Sequence, residues 1–363
     1  MFEKYPFEKL NELLKDIPHP DEVISLTIGE PQFETPEFIQ DELCKNTKYL
    51  NKYPKTAGEE VLKKAQRDFV KRRFNVELKD NELLPTYGTR EVLFNFPLFL
   101  RPKKMAFPNP FYQIYEGAAI AAGSKINYMP LLKENYFKNN LNQLDGDEDF
   151  IILNSPNNPT ASVMSLDELC KWVEYALKND VVILNDECYS EIYFDEKPAS
   201  ILEASLKVGN KNFKNILAIN SISKRSSAPG LRSGFIAGDS EILKNYLQFR
   251  TYVGCAISLP LQYAAARAWS DEEHVEVFRE KYKRNFEIAK EILDIEIPKA
   301  TFYIWLEVED DIEFTKEAYK RGVKVMPGRY MGRGGIGEGY VRIALVYDEE
   351  KTKKALKIIK DLL

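Results

Sequence analysis

Histidine is nearly missing from this chain of 363 residues: His19 lies beside prolines and His274 in a charged stretch. A Ser-His-Asp or Cys-His hydrolase needs an imidazole in a core site, so that class is set aside. Cysteine is scarce too. Cys44, Cys170, Cys188 and Cys255 are widely spaced without a CxxC, which argues against zinc and disulfides and for reduced thiols in the cytoplasm. No apolar run reaches membrane-spanning length, and the opening Met1-Phe2-Glu3-Lys4-Tyr5-Pro6 lacks the apolar segment of a secretory signal. A basic excess is also absent. Lys and Arg number 51 against 56 Asp and Glu, so no overall field gathers nucleic acid. No internal repeat, low-complexity tract or long linker is visible.

What the chain has is apolar substance, 44% hydrophobic with 21 Phe and 20 Tyr, enough for a large core. Its length suggests two domains or one large α/β unit. Helical periodicity runs over 59–73, 90–100, 166–177, 260–269 and 272–293, and Ser165-Leu166-Asp167-Glu168 opens the third as a capping box. Short apolar runs at 104–107, 150–153, 181–184, 216–219 and 234–237 read as buried strands. Helices interspersed with such strands predict a mostly parallel sheet covered on both faces. After Glu272 come a long helix, strands over 302–308, 323–326 and 341–346, and a last helix. The expected division is a large α/β domain over 45–270, with 1–44 and 271–363 forming a smaller α+β domain.

The densest chemistry lies in Ser221-Ile222-Ser223-Lys224-Arg225-Ser226-Ser227-Ala228-Pro229-Gly230-Leu231-Arg232, after an apolar β-branched run. A lysine at the end of a buried strand is costly unless its amine has a task there. Ser221, Ser223 and Arg232 around it suit a phosphate dianion, and an amine beside a phosphate cradle suits pyridoxal phosphate. Asp186 ends the strand 181–184 region, where ligand crevices of open α/β sheets lie, and would keep a pyridine nitrogen protonated. Tyr189, three residues on, and the amide of Asn158 in Asn154-Ser155-Pro156-Asn157-Asn158-Pro159 could reach a ring oxygen. Tyr87-Gly88-Thr89-Arg90 opens a helix whose N-terminal amides suit phosphate. Tyr112, in a rigid Pro108-Asn109-Pro110 turn, could stack on a flat ring, whereas Phe111 and Tyr115 read as core. Arg342 is a charge inside a β-pattern and suits a carboxylate. Gly332-Arg333-Gly334-Gly335-Ile336-Gly337 matches a dinucleotide string but precedes a strand, so it reads as a flexible loop over the site.

Taken together, these pieces resemble fold-type I pyridoxal-phosphate enzymes of the class I/II aminotransferase group, over essentially the whole chain. The collinear order is Gly29-Glu30-Pro31, Tyr53 ahead of Gly58, Gly88-Thr89, Tyr112, Asn158-Pro159, Asp186 with Tyr189, Ser221-x-Ser223-Lys224, Arg232 and Arg342. The resemblance implies a seven-stranded, mostly parallel mixed sheet and a smaller α+β domain. It implies pyridoxal 5'-phosphate linked to Lys224, which also moves the substrate proton, with Asp186 as pyridinium partner. Asn158 and Tyr189 then hold the ring oxygen and Tyr112 the ring face. Gly88, Thr89, Arg90, Ser221, Ser223 and Arg232 surround the phosphate. Arg342 clamps the substrate α-carboxylate beside Gly29, and Tyr53 reaches the phosphate of a neighbouring subunit, which implies a homodimer with shared sites.

Finer stretches, among them Leu84-Pro85-Thr86-Tyr87-Gly88-Thr89-Arg90-Glu91 and Met326-Pro327-Gly328-Arg329-Tyr330, look like bacterial succinyldiaminopimelate aminotransferases. Ala161 and Arg329 depart from common residues at their positions. The implied reaction moves an amino group between glutamate and N-succinyl-2-amino-6-oxopimelate. An aspartate or broad-specificity aminotransferase and a non-catalytic binding protein are the rival readings. Arg90, Arg329 and Arg333 are all candidates for a second substrate carboxylate.

Overall fold

A computed structural model describes residues 2–363. Seven strands form one sheet in the order Leu83–Thr86, Gly234–Gly238, Ile216–Ser221, Val182–Asp186, Phe150–Asn154, Lys104–Asn109 and Lys125–Pro130. Gly234–Gly238 runs antiparallel to both neighbours, and the other pairings are parallel. The sheet is therefore mixed and mostly parallel, as expected.

The continuous apolar runs follow from burial on both faces. Successive side chains of a strand point to opposite sides. Ile151, Leu153, Ile183, Ile216 and Ala218 enter one core with Phe69, Trp172 and Trp269, from helices Glu60–Phe74, Leu166–Asn179 and Leu259–Trp269. Phe150, Ile152, Leu184, Leu217 and Ile219 enter the other with Leu93, Phe96, Tyr115 and Tyr246, from helices Thr89–Leu100, Ile114–Ala122 and Ser240–Val253. The capping box is present: Glu168 N donates to Ser165 Oγ at 3.2 Å and Ser165 N to Glu168 Oε2 at 2.6 Å. The edge strands Leu83–Thr86 and Lys125–Pro130 had no clear signal, the first being short and the second polar on alternate residues.

A third core joins the antiparallel strands Tyr340–Ala344 and Tyr303–Glu307 to helices Glu273–Leu293 and Glu349–Lys360, and the short strand Met326–Pro327 pairs antiparallel with Tyr340–Ala344. Ile24–Ser25 pairs in parallel with Val323–Lys324, tying the N-terminal segment to this unit. Helix Glu37–Asn46 differs: Ile39 belongs to the first core, beside helix Leu259–Trp269. No helix among the described residues is long and apolar enough to cross a membrane.

Phe69 is fully buried, with ring centroids 4.9 Å from Trp269, 6.0 Å from Phe74 and 6.2 Å from Phe235. Truncating such a ring removes apolar burial and leaves a cavity. Phe69→Ala should lower the unfolding free energy by about 3–5 kcal/mol in a denaturant titration.

Candidate active site

The carboxyl ends of strands Phe150–Asn154, Val182–Asp186 and Ile216–Ser221 open into a cavity of about 880 Å³. It also receives Gly29, Tyr303 and Arg342 from the third-core unit and its N-terminal segment. Lys224, Asp186, Tyr189, Asn158, Thr89, Arg90, Tyr112, Ser221, Ser223, Arg232, Gly29 and Arg342 all line it. Gly88 lies at its edge, capping the helix that begins at Thr89. Tyr53 is fully exposed and does not line the cavity of its own chain.

The lysine is held by the residues around it in sequence. Ser221 ends its strand in extended conformation, and its hydroxyl accepts from Ser223 N at 3.1 Å, starting the short helix Ile222–Arg225. Lys224 then points into the cavity, where its Nζ donates to the Gly29 carbonyl. Its neighbour Arg225 points the other way, into the core. The Arg225 guanidinium lies 5.0 Å from the Phe69 ring and 5.1 Å from the Trp269 ring, and donates to Ala268 O at 2.9 Å and Glu272 at 3.0 Å. Ser226 is clamped as well, its hydroxyl 2.9 Å from His274 Nε2, with His274 Nδ1 2.6 Å from Asp271. Ser226 and His274 are buried, Asp271 is partly exposed, and none of the three lines the cavity, so the series braces the turn after Lys224. Burial lowers the Lys224 pKa to about 8.

Asp186 is buried, and burial pushes its carboxyl above the usual range against two hydrogen bonds, from Cys188 N at 3.2 Å and Tyr115 Oη at 2.9 Å. Tyr115 therefore does more than the core packing expected of it. It stands at the start of helix Ile114–Ala122 and lines the cavity together with Tyr112. Asn154 donates to Asp186 O at 2.9 Å and accepts from Asn158 N at 2.8 Å, fixing the amide turn beside the acid.

On the far side, the hydroxyls of Ser221 and Ser223 lie 2.9 Å apart, and Arg232 donates to Pro229 O at 2.7 Å. Gly88 has φ +69°, and a side chain there would run into the Arg232 guanidinium. Glycine thus lets the arginine lie against the start of the helix, a cradle for an anion. Arg342 is buried. It donates to Asn158 Oδ1 at 2.8 Å and to Thr27 O, while its Nε has no partner.

These residues fit pyridoxal 5'-phosphate. The hydroxyls, guanidinium and helix start match a phosphate, Asp186 is a buried acid suited to a cationic ring nitrogen, and the lysine amine faces the same space. Sequence reasoning missed Tyr303, whose hydroxyl lies 2.8 Å from that of Tyr189. In sequence it is one aromatic in an apolar strand, with nothing to separate it from core. Tyr5 was missed for a similar reason; it lines the cavity through the N-terminal segment. The glycine-rich loop 332–337 is pinned more firmly than expected: Arg333 pairs with Glu116, and Asn109 exchanges hydrogen bonds of 2.9 and 3.0 Å with the Arg333 backbone.

An amine titrating near pH 8 is largely neutral at a pH where ordinary lysines stay protonated. In cofactor-free protein, carbamylation of Lys224 by cyanate, followed by peptide mass analysis, should rise between pH 7 and 9 and then level off. A rate still climbing toward pH 10.5 would show an unperturbed amine.

Residues 21–359 match the family model for aminotransferase class I and II. An LL-diaminopimelate aminotransferase of Dehalococcoides mccartyi is 34% identical over 93% of this chain and 90% of its own length. The crystal structure of aminotransferase AspB from Helicobacter pylori shares 52% identity, 99% of this chain and 98% of that one, with a TM-score of 0.97. An aminotransferase structure from Neisseria meningitidis shares 40% identity, 100% of this chain and 98% of its own, with a TM-score of 0.95. The sheet, the lysine-bearing cavity and these relatives converge on one conclusion: the chain belongs to the class I and II aminotransferases, pyridoxal-phosphate-dependent transaminases of fold type I.

Proposed function

We propose that the enzyme moves an amino group between glutamate/2-oxoglutarate and an acidic amino acid of the diaminopimelate type, N-succinyl-LL-2,6-diaminopimelate, in lysine biosynthesis. The supporting observation is Arg90. Of the arginines lining the cavity, Arg232 and Arg342 already donate to backbone carbonyls. Arg90 meets only phenols: Tyr112 Oη at 2.8 and 2.9 Å and Tyr5 Oη at 3.3 Å. Arg329 is bound to Asp311 and Asp310, and Arg333 to Glu116, which leaves Arg90 for a distal carboxylate.

Pyridoxal 5'-phosphate, when bound, supplies an electron-withdrawing ring that makes the substrate Cα–H acidic. Lys224 anchors it and carries the proton from Cα, for which a pKa near the working pH is suited. Asp186 keeps the ring nitrogen protonated, and Asn158 and Tyr189 bind the ring oxygen. Tyr112 covers the ring face. Gly88, Thr89, Ser221, Ser223 and Arg232 hold the phosphate, with Arg90 at the rim. Arg342 takes the α-carboxylate beside Gly29, completing its unpartnered Nε. Tyr53, exposed here, would serve the site of a second copy in a homodimer. The same reading divides the chain into 45–270 and 1–44 with 271–363, helix Glu37–Asn46 lying with the first by its packing. It places the enzyme in the cytoplasm.

A second reading, free LL-diaminopimelate, is favoured by the name of the Dehalococcoides mccartyi relative. That substrate carries a second ammonium, which needs an acid. Glu91 and Asp186 are the acids lining the cavity, and Glu91 is taken by Arg250 at 2.8 and 3.0 Å and by Tyr87 N at 2.9 Å. The succinylated form has no such ammonium.

Lys224→Ala should abolish the visible cofactor band that borohydride fixes to the chain and lower kcat by more than about 10⁴-fold. Arg90→Gln should lower kcat/KM for succinyldiaminopimelate by roughly 10–100-fold, the worth of a charge-assisted hydrogen bond, and spare alanine. An equal loss for alanine would refute the distal role. Relative rates with succinyldiaminopimelate, LL-diaminopimelate and aspartate decide among the substrates.

A further inference from the structure

Tyr303 occupies a junction that the expected site residues leave unexplained. It is buried on the strand Tyr303–Glu307, paired with Ala344 across the sheet, so that Arg342 is its diagonal same-face neighbour. The Arg342 guanidinium carbon lies 4.5 Å from the centre of the Tyr303 ring. At the other end of the same ring, the hydroxyl is 2.8 Å from Tyr189 Oη. Gly29 makes this possible, because any Cβ there would collide with the Tyr303 hydroxyl. One side chain thus touches both the proposed carboxylate clamp and a proposed ligand of the cofactor ring oxygen.

We propose that Tyr303 is a positioning residue that couples these two ends. This rests on the cofactor reading above. Each phenol has one proton to donate. If Tyr189 gives its proton to the anionic ring oxygen, the Tyr189–Tyr303 contact can exist only with Tyr303 donating. A hydrogen bond received by Tyr189 polarises its own O–H and strengthens the bond that it gives. The ring of Tyr303, meanwhile, supports Arg342 through its π-face and keeps the guanidinium from swinging away from the carboxylate. The hydroxyl and the ring have separable tasks: the first tunes the cofactor, the second holds the clamp.

The test titrates the visible absorbance of cofactor-loaded protein with pH and measures binding of succinate, a non-reacting dicarboxylate, by its effect on that band. Tyr303→Phe keeps the ring and loses the hydroxyl. It should raise the pH midpoint of the absorbance change by about 0.5 unit, because the ring oxygen anion is less well stabilised, with succinate affinity within about twofold of the parent. Tyr303→Leu loses both and should show the same shift with succinate bound about 2–5-fold more weakly. An unmoved midpoint in Tyr303→Phe would overturn the coupling, as would a loss of succinate affinity equal in both variants. If the unsubstituted protein bound no cofactor, the underlying reading would fall first, and this inference with it.

Discussion

A primary amine partly stripped of water is the condition on which the rest of this structure turns. Lys224 loses hydration inside the cavity, and its proton is correspondingly easier to lose. Such a residue is tolerated only where its backbone is held by other means. Here the neighbouring Arg225 packs against the adjoining rings of Phe69 and Trp269, and Ser226 is tied to His274. The turn faces two ways: one cation enters the reaction space and the next enters the core as an anchor. The aromatic cluster beneath the sheet is therefore part of what aims the lysine.

The second requirement is that reaction groups arrive from independent directions. The large sheet delivers Asp186, Asn158 and the Ser221–Lys224 turn at the carboxyl ends of adjacent parallel strands, the general location of ligand crevices in open α/β sheets. The smaller antiparallel sheet delivers Arg342, which reaches across to Asn158 at 2.8 Å. A bond between side chains 184 residues apart in sequence fixes how the two sheets meet around the cavity. Beneath the rim, the buried Glu91–Arg250 pair holds the first turn of the helix that starts at Thr89. Breaking such a pair leaves an uncompensated charge inside the protein, which is why both partners are needed.

Much of this was legible in the residues alone, for identifiable reasons. Buried parallel strands are continuous apolar runs, so the four central ones and Gly234–Gly238 declared themselves with each end within two residues. Leu83–Thr86 and Lys125–Pro130 did not, since short or edge strands lack that contrast. Lys224, Asp186 and Arg342 stood out because a charge within or after an apolar strand demands a partner. Tyr303 and Tyr115 could not stand out. A buried tyrosine and a buried phenylalanine make the same pattern, and only the third dimension shows which hydroxyl has found an acceptor. Arg90, Arg329 and Arg333 were equivalent in sequence for the same reason. Coordinates reveal that two of them are already engaged by carboxylates.

The clasp between Arg333 and Glu116 has a mechanical consequence. With Asn109 bonded to the Arg333 backbone and Phe111 N donating to Met331 O at 2.9 Å, the stretch between two strands of the smaller sheet is bolted to the end of Lys104–Asn109. The N-terminal helix Pro6–Leu14 rests on the same stretch, its Leu10 and Leu14 sharing a buried cluster with Met326 and Met331. Through that helix the same bolt also secures Tyr5, and with it the phenol that meets Arg90 at 3.3 Å.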